Sequence, residues 1–115
     1  MRKGKRAYSR VEVSWPVTML TGKKVITGEI KDISLGGALI RCQEVLSQER
    51  SLKLRIEITD LFSVSATVEN VRCHSDESHR GPTTCYLAVR FTDMTKDQNR
   101  ILYNAIARET SGQGR

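Results

Sequence analysis

Leu52-Lys53-Leu54-Arg55-Ile56-Glu57-Ile58 alternates apolar and charged side chains over its whole length. Successive side chains of an extended strand point to opposite faces, so this period of two describes a strand with one wet and one buried face. Upstream, Val11-Glu12-Val13-Ser14-Trp15 alternates in the same way, with Trp15 on the apolar side. Pro16 lacks an N–H and marks an edge strand or a local break before residues 17–20 resume the pattern. Thr21-Gly22-Lys23-Lys24 reads as a turn, followed by a strand from residue 25 to about 30. Residues 32–37 read as a tight glycine-containing loop, and 38–42 as a short third strand. Residues 43–50 are polar and read as loop. Downstream, 64–71 is the next strand, with residue 73 as its outer limit. A polar hairpin loop follows over 75–83, and residues 86–91 form the last strand.

The C-terminal end follows a different period. Thr95-Lys96-Asp97-Gln98 fits a capping box: the Thr95 hydroxyl accepts from the Gln98 N–H, and the Gln98 side chain reaches back. Ile101, Leu102, Ala105 and Ile106 then recur at helical spacing, which predicts one amphipathic helix over about 96–108. Residues 110–115 read as a disordered tail. Six strands and one terminal helix make a mainly β fold, a six-stranded antiparallel β-barrel with a C-terminal α-helix. Closure also removes the exposed edges that so many strands would otherwise present.

The 115 residues allow one domain and one core. No apolar run approaches the roughly 20 residues of a membrane helix, and the basic N-terminus has no apolar stretch of a secretory signal behind it. The net charge is +6. Arg2, Lys3, Lys5, Arg6 and Arg10 supply most of it within a segment that holds no acid. The chain therefore divides into a flexible basic arm, 1–10, a barrel domain, 11–109, and the tail. Binding to a long polyanion favours charge spread along a face, so polymeric nucleic acid is not the expected partner. Cys42, Cys73 and Cys85 form no C-x-x-C pair and read as reduced thiols in the cytoplasm.

Signatures of catalysis are poor. His74 and His79 both border a polar loop, and no Ser-His or Cys-His arrangement surrounds them. No phosphate-cradling G-x-x-x-x-G-K-[ST] loop is present. Cys73, His74, His79 and Cys85 match no standard zinc spacing, and adjacent residues on a strand face opposite ways. The cysteines therefore read as core residues and the histidines as solvated, with no metal site and no enzyme activity expected.

Two constellations remain. Arg6-Ala7-Tyr8-Ser9-Arg10 is an R-x-x-x-R; Tyr8 between the arginines is placed to anchor the arm. Asp32-Ile33-Ser34-Leu35-Gly36-Gly37 is a D-x-S-x-x-G. Each alone is weak, since Asp, Ser and Gly are also ordinary turn residues. In this order, about twenty residues apart and flanking two strands, they resemble the ligand signature of the PilZ domain family, bacterial receptors for cyclic di-GMP. The resemblance covers most of the chain, including the run Val89-Arg90-Phe91-Thr92-Asp93-Met94 and the closing helix. Ala88 is a departure, standing where many members have glycine.

The chemistry of these side chains suits such a ligand. A guanidinium can grip guanine O6 and N7 or phosphate oxygens bidentately, and can stack on a base. A carboxylate can accept from the guanine Watson–Crick edge. A serine hydroxyl and backbone N–H groups at glycine suit phosphate. The resemblance gives the arginine roles to Arg6 and Arg10, and the loop roles to Asp32, Ser34 and Gly37; Gly36 joins them as a ligand-binding candidate through its backbone N–H. Lys5 and Arg41 are weaker candidates. A long basic residue at Lys5 goes with a stacked pair of ligands in the family, but lysine lacks the stacking plane, so one or two ligands per protomer remain open.

The implied protein is a receptor or adaptor without a cofactor. It changes conformation on binding cyclic di-GMP and signals to a downstream effector protein in motility, pili, exopolysaccharide or biofilm control. The alternatives are a small barrel that binds single-stranded nucleic acid, for which exposed aromatics are scarce, and a ligand-free adaptor of the same fold.

Overall fold

A computed structural model describes residues 10–44, 50–76 and 83–113. Six strands and one helix follow in order: β1 (Val11–Leu20), β2 (Val25–Ile33), β3 (Gly37–Cys42), β4 (Ser51–Glu57), β5 (Ser63–Asp76), β6 (Thr84–Asp93) and α1 (Lys96–Gln113). The strands close into an antiparallel barrel in the order β1-β2-β3-β6-β5-β4. The expected class therefore holds.

The alternation in β4 works as its period requires. Leu52, Leu54 and Ile56 are buried while Ser51, Lys53 and Arg55 are exposed. Ile26, Ile30, Ile40, Val64, Val68, Leu87 and Val89 meet them inside the barrel, with Trp15 also buried. Pro16 interrupts nothing: β1 runs straight through it, and the β4 ladder begins only at the next residue, Val17. A residue without an N–H is tolerated at such a point.

Several boundaries differ from expectation. Asp32 and Ile33, expected in a loop, belong to the end of β2. The helix runs on to Gln113, past the expected end at 108 and into the residues read as a tail. The Gln98 N–H donates to Thr95 Oγ1 at 3.1 Å, as a capping box requires. The Gln98 side chain does not reach back; its Oε1 accepts from the Ser65 N–H at 2.6 Å and ties α1 to β5. Leu102, Ala105 and Ile106 bury the inner face of the helix.

A bulge decides which way β2 presents its carboxylate. The β2–β3 register shifts between Ile30 and Asp32, where Ile30 faces Ile40 and Asp32 faces Leu39. Strict alternation would put Asp32 on the same face as Ile30, in the core. The extra residue, Lys31, instead lets both Ile30 and Ile33 point inward at 0% exposure. Asp32 is thereby turned to the outer surface, as bulges commonly re-aim side chains.

Candidate functional site

The antiparallel β1–β2 ladder pairs Val11 with Ile33 and Glu12 with Asp32. Arg10, one residue before β1, therefore lies beside the end of β2. Its Nη2 and Nε both donate to Asp32 Oδ1, at 2.8 and 3.2 Å. The second arginine of R-x-x-x-R and the aspartate of D-x-S-x-x-G thus meet, although 22 residues separate them. Both side chains keep access to solvent, 46% for Arg10 and 25% for Asp32. Arg6 and Lys5 lie outside the described residues.

The rest of the second motif is a tight connection between β2 and β3. The Ser34 N–H donates to the Gly37 carbonyl at 2.9 Å, and the Gly36 N–H donates to Ser34 Oγ at 3.1 Å. The Gly36 carbonyl in turn accepts from the Phe91 N–H at 3.0 Å. Ser34 is buried, at 6% exposure. The Gly36 N–H expected to stand open for an anion is therefore occupied by Ser34, whose hydroxyl hydrogen is left to serve as a donor.

Gly37 has a reason of its own. A Cβ at this position would lie 2.3 Å from the Val89 carbonyl oxygen, so only glycine lets β3 start this close to β6. The close approach is made by backbone, where the sequence suggested a ligand. Val89 and Phe91 belong to the run that carried the family resemblance, and the structure shows why that run and the loop go together.

Arg41 sits on the outer face of β3, opposite Glu29 on β2 and Tyr86 on β6. Its Nη2 donates to Glu29 Oε1 at 2.9 Å. Glu29 also accepts from the Ser14 hydroxyl and lies 3.5 Å from Lys31 Nζ. The Ser14 hydrogen bond is the main reason its carboxyl is held below its ordinary 4.5; desolvation is the next largest influence and opposes it, and the charges of Lys31 and Arg41 add smaller lowering effects. Sequence reading did not single out Glu29. Its signal was its place one residue before Ile30 on an alternating strand, which aims it at the same face as Arg41. A second outward pair, Arg90 with Glu69, joins β6 to β5 beyond Gly37.

The outer face of β2 and β3 therefore carries a polar band, with Asp32 and its partner Arg10 at one end and the Arg41–Glu29 pair farther along. Among the described residues no group of three or more His, Cys, Asp or Glu side chains is placed to hold a metal ion. No helix in those residues is long and apolar enough to cross a membrane.

A barrel of this strand order, with a C-terminal helix, an R-x-x-x-R ahead of β1 and a D-x-S-x-x-G running from the end of β2 to the start of β3, is the architecture of one receptor-domain class. The PilZ domain profile matches residues 4–108, and the chain belongs to the PilZ domain family. No curated protein matches it by sequence. Among solved structures it is similar to the Bacillus subtilis inhibitor of motility MotI/DgrA, at 18% identity and a TM-score of 0.77. That match covers 98% of this chain and 54% of the other, so the chain spans about half of MotI. The PilZ domain of YcgR from Escherichia coli, solved with c-di-GMP, matches at 16% identity and a TM-score of 0.69, covering 96% of this chain and 99% of that one. The MrkH–c-di-GMP complex from K. pneumonia matches at 17% identity and a TM-score of 0.71, covering 98% and 56%.

Proposed function

We propose that this protein is a cyclic di-GMP receptor that carries no catalysis and acts, in the cytoplasm, through a partner protein. The observation that carries the reading is the junction of the two motifs, where Arg10 of the first bonds Asp32 of the second on an outward face. Family membership and the solved c-di-GMP complexes of similar fold support it.

In this reading Asp32 accepts from the Watson–Crick edge of a guanine. Arg10, already aligned by Asp32, uses its remaining N–H donors and its plane on base or phosphate. Ser34 donates its hydroxyl hydrogen to a phosphate oxygen. Arg6 on the N-terminal arm closes over the ligand, and Lys5 adds charge. Arg41 joins only by leaving Glu29, which gives it the lesser role. Closing the arm changes the surface beside β1 and β2, and a partner reads that change. MotI is an inhibitor of motility, and likeness to it supports an output of this protein in the control of motility, pili, exopolysaccharide or biofilm.

Titration calorimetry with cyclic di-GMP tests the reading on wild type, Arg6→Ala, Arg10→Ala and Asp32→Ala. Micromolar or tighter binding by wild type, lost in all three variants, is the expected result, and the same titration reports one or two ligands per protomer. Equal binding by all four proteins overturns the site, and absence of binding by wild type overturns the function.

A further inference from the structure

All three cysteines of the chain converge at one place in the barrel. Cys42 on β3 pairs directly with Cys85 on β6. On the other side of β6, Cys85 faces Ser75 of β5, and Cys73 lies two residues along the same strand. The Cys73 and Cys85 sulfurs are 2.8 Å apart, in hydrogen-bonding contact and not joined as a disulfide. Cys85 is wholly buried, Cys42 nearly so, and Cys73 half-buried. Nothing in the proposed ligand site uses these thiols.

We propose that Cys73 and Cys85 are a reversible oxidation site, joined as an intramolecular disulfide when the protein meets hydrogen peroxide. Cys73 has the solvent access, so it meets the oxidant. Its thiolate sulfur attacks one peroxide oxygen, the O–O bond breaks, and hydroxide leaves to become water. Cys73 is then a sulfenic acid. Cys85 gives up its proton, and its sulfur attacks the Cys73 sulfur. The S–O bond breaks, and the departing hydroxide takes the proton as a second water. Two thiols have lost two electrons and two protons, and the peroxide has become two waters. The sulfurs lie 2.8 Å apart, against the roughly 2.0 Å of a disulfide.

Cys42 is the third thiol and is kept out of the first step. It is nearly inaccessible, its Sγ donates to the Glu44 carbonyl at 3.2 Å, and burial pushes its thiol above the ordinary range. The bond would pin β5 to β6 at the end of the barrel away from Gly37, beside the outward pair His74 and Tyr86.

Tryptic mapping without reductant tests this directly, because cleavage after Arg41, Arg72 and Arg80 puts each cysteine on a separate peptide. After dilute peroxide, titratable thiols in denaturant should fall from three to one, with peptide 73–80 linked to peptide 81–90. Dithiothreitol should restore all three. Cys42→Ser should form the same link, and Cys85→Ala should leave a Cys73 sulfenic acid that dimedone traps. A link through Cys42, or over-oxidation of Cys73 with no link in wild type, overturns the proposal.

Discussion

Arg10 donates two hydrogen bonds to a single carboxylate oxygen, Asp32 Oδ1. The arrangement leaves Oδ2 of Asp32 and the other amino group of Arg10 uncommitted to each other. It aligns the two side chains while leaving each of them free donors or acceptors for the proposed ligand.

That alignment has a small expected value for stability and a large one for binding. Exposed ion pairs contribute about 0.2–1 kcal/mol. A double-mutant cycle of Arg10→Ala and Asp32→Ala, read by urea denaturation without ligand, should give a coupling within that range. Calorimetry on the same proteins should show each single variant losing cyclic di-GMP binding. A coupling several times larger would mean that the pair is chiefly structural.

Gly37→Ala should destabilise the protein by at least the roughly 1–3 kcal/mol typical of an overpacked interior, because the atom it meets is the Val89 backbone oxygen and cannot swing aside. Gly22→Ala, where a Cβ meets nothing within 4 Å, should stay within about 0.5 kcal/mol of wild type. Thermal melting of the two variants checks the contrast.

Ser34→Ala removes the acceptor of the Gly36 N–H and should cost about 1 kcal/mol, the worth of one such bond. The reading of Ser34 as a ligand group adds a second expectation, that cyclic di-GMP affinity falls more than stability does. A fall in stability with unchanged affinity would confine Ser34 to shaping the turn.

Glu29 should titrate below 4.5, because the Ser14 hydroxyl and the neighbouring Lys31 and Arg41 favour its charged form. A carboxylate whose folded value is lowered contributes stability above its unfolded value and loses it as pH falls through the folded one. The contribution of Glu29 is therefore complete at neutral pH and disappears only in acid. Carbonyl-detected NMR should place its midpoint below 4.5 in wild type, and Ser14→Ala should raise it.

The strands were legible because burial on one face leaves a period-two trace, as Leu52, Leu54 and Ile56 show. The helix start was legible because capping is local: Thr95 bonds Gln98 three residues on. The second half of the capping box was not, since Gln98 found a better acceptor role toward Ser65, 33 residues away in sequence. The D-x-S-x-x-G residues were legible as a motif, but their division of labour was not. Gly37 answers to the Val89 backbone and the Gly36 carbonyl to the Phe91 N–H, relations that depend on which strands become neighbours, while the Gly36 N–H is taken by the Ser34 hydroxyl within the turn. Glu29 went unnoticed because a lone acid on a strand carries no pattern until Arg41 and Ser14 are set beside it.

By itself, the sequence determined that this is a β-barrel with a terminal helix and a basic N-terminal segment, since alternation, capping and charge are properties of near neighbours. It also set the two motifs in order along the chain. The tertiary structure decided where their side chains go. A one-residue bulge at Lys31 turned Asp32 outward, the β1–β2 register brought Arg10 to it, and the β3-β6-β5 neighbourhood gathered three scattered cysteines. Register and bulges are set by packing between distant segments, and a local pattern of period two holds no record of them.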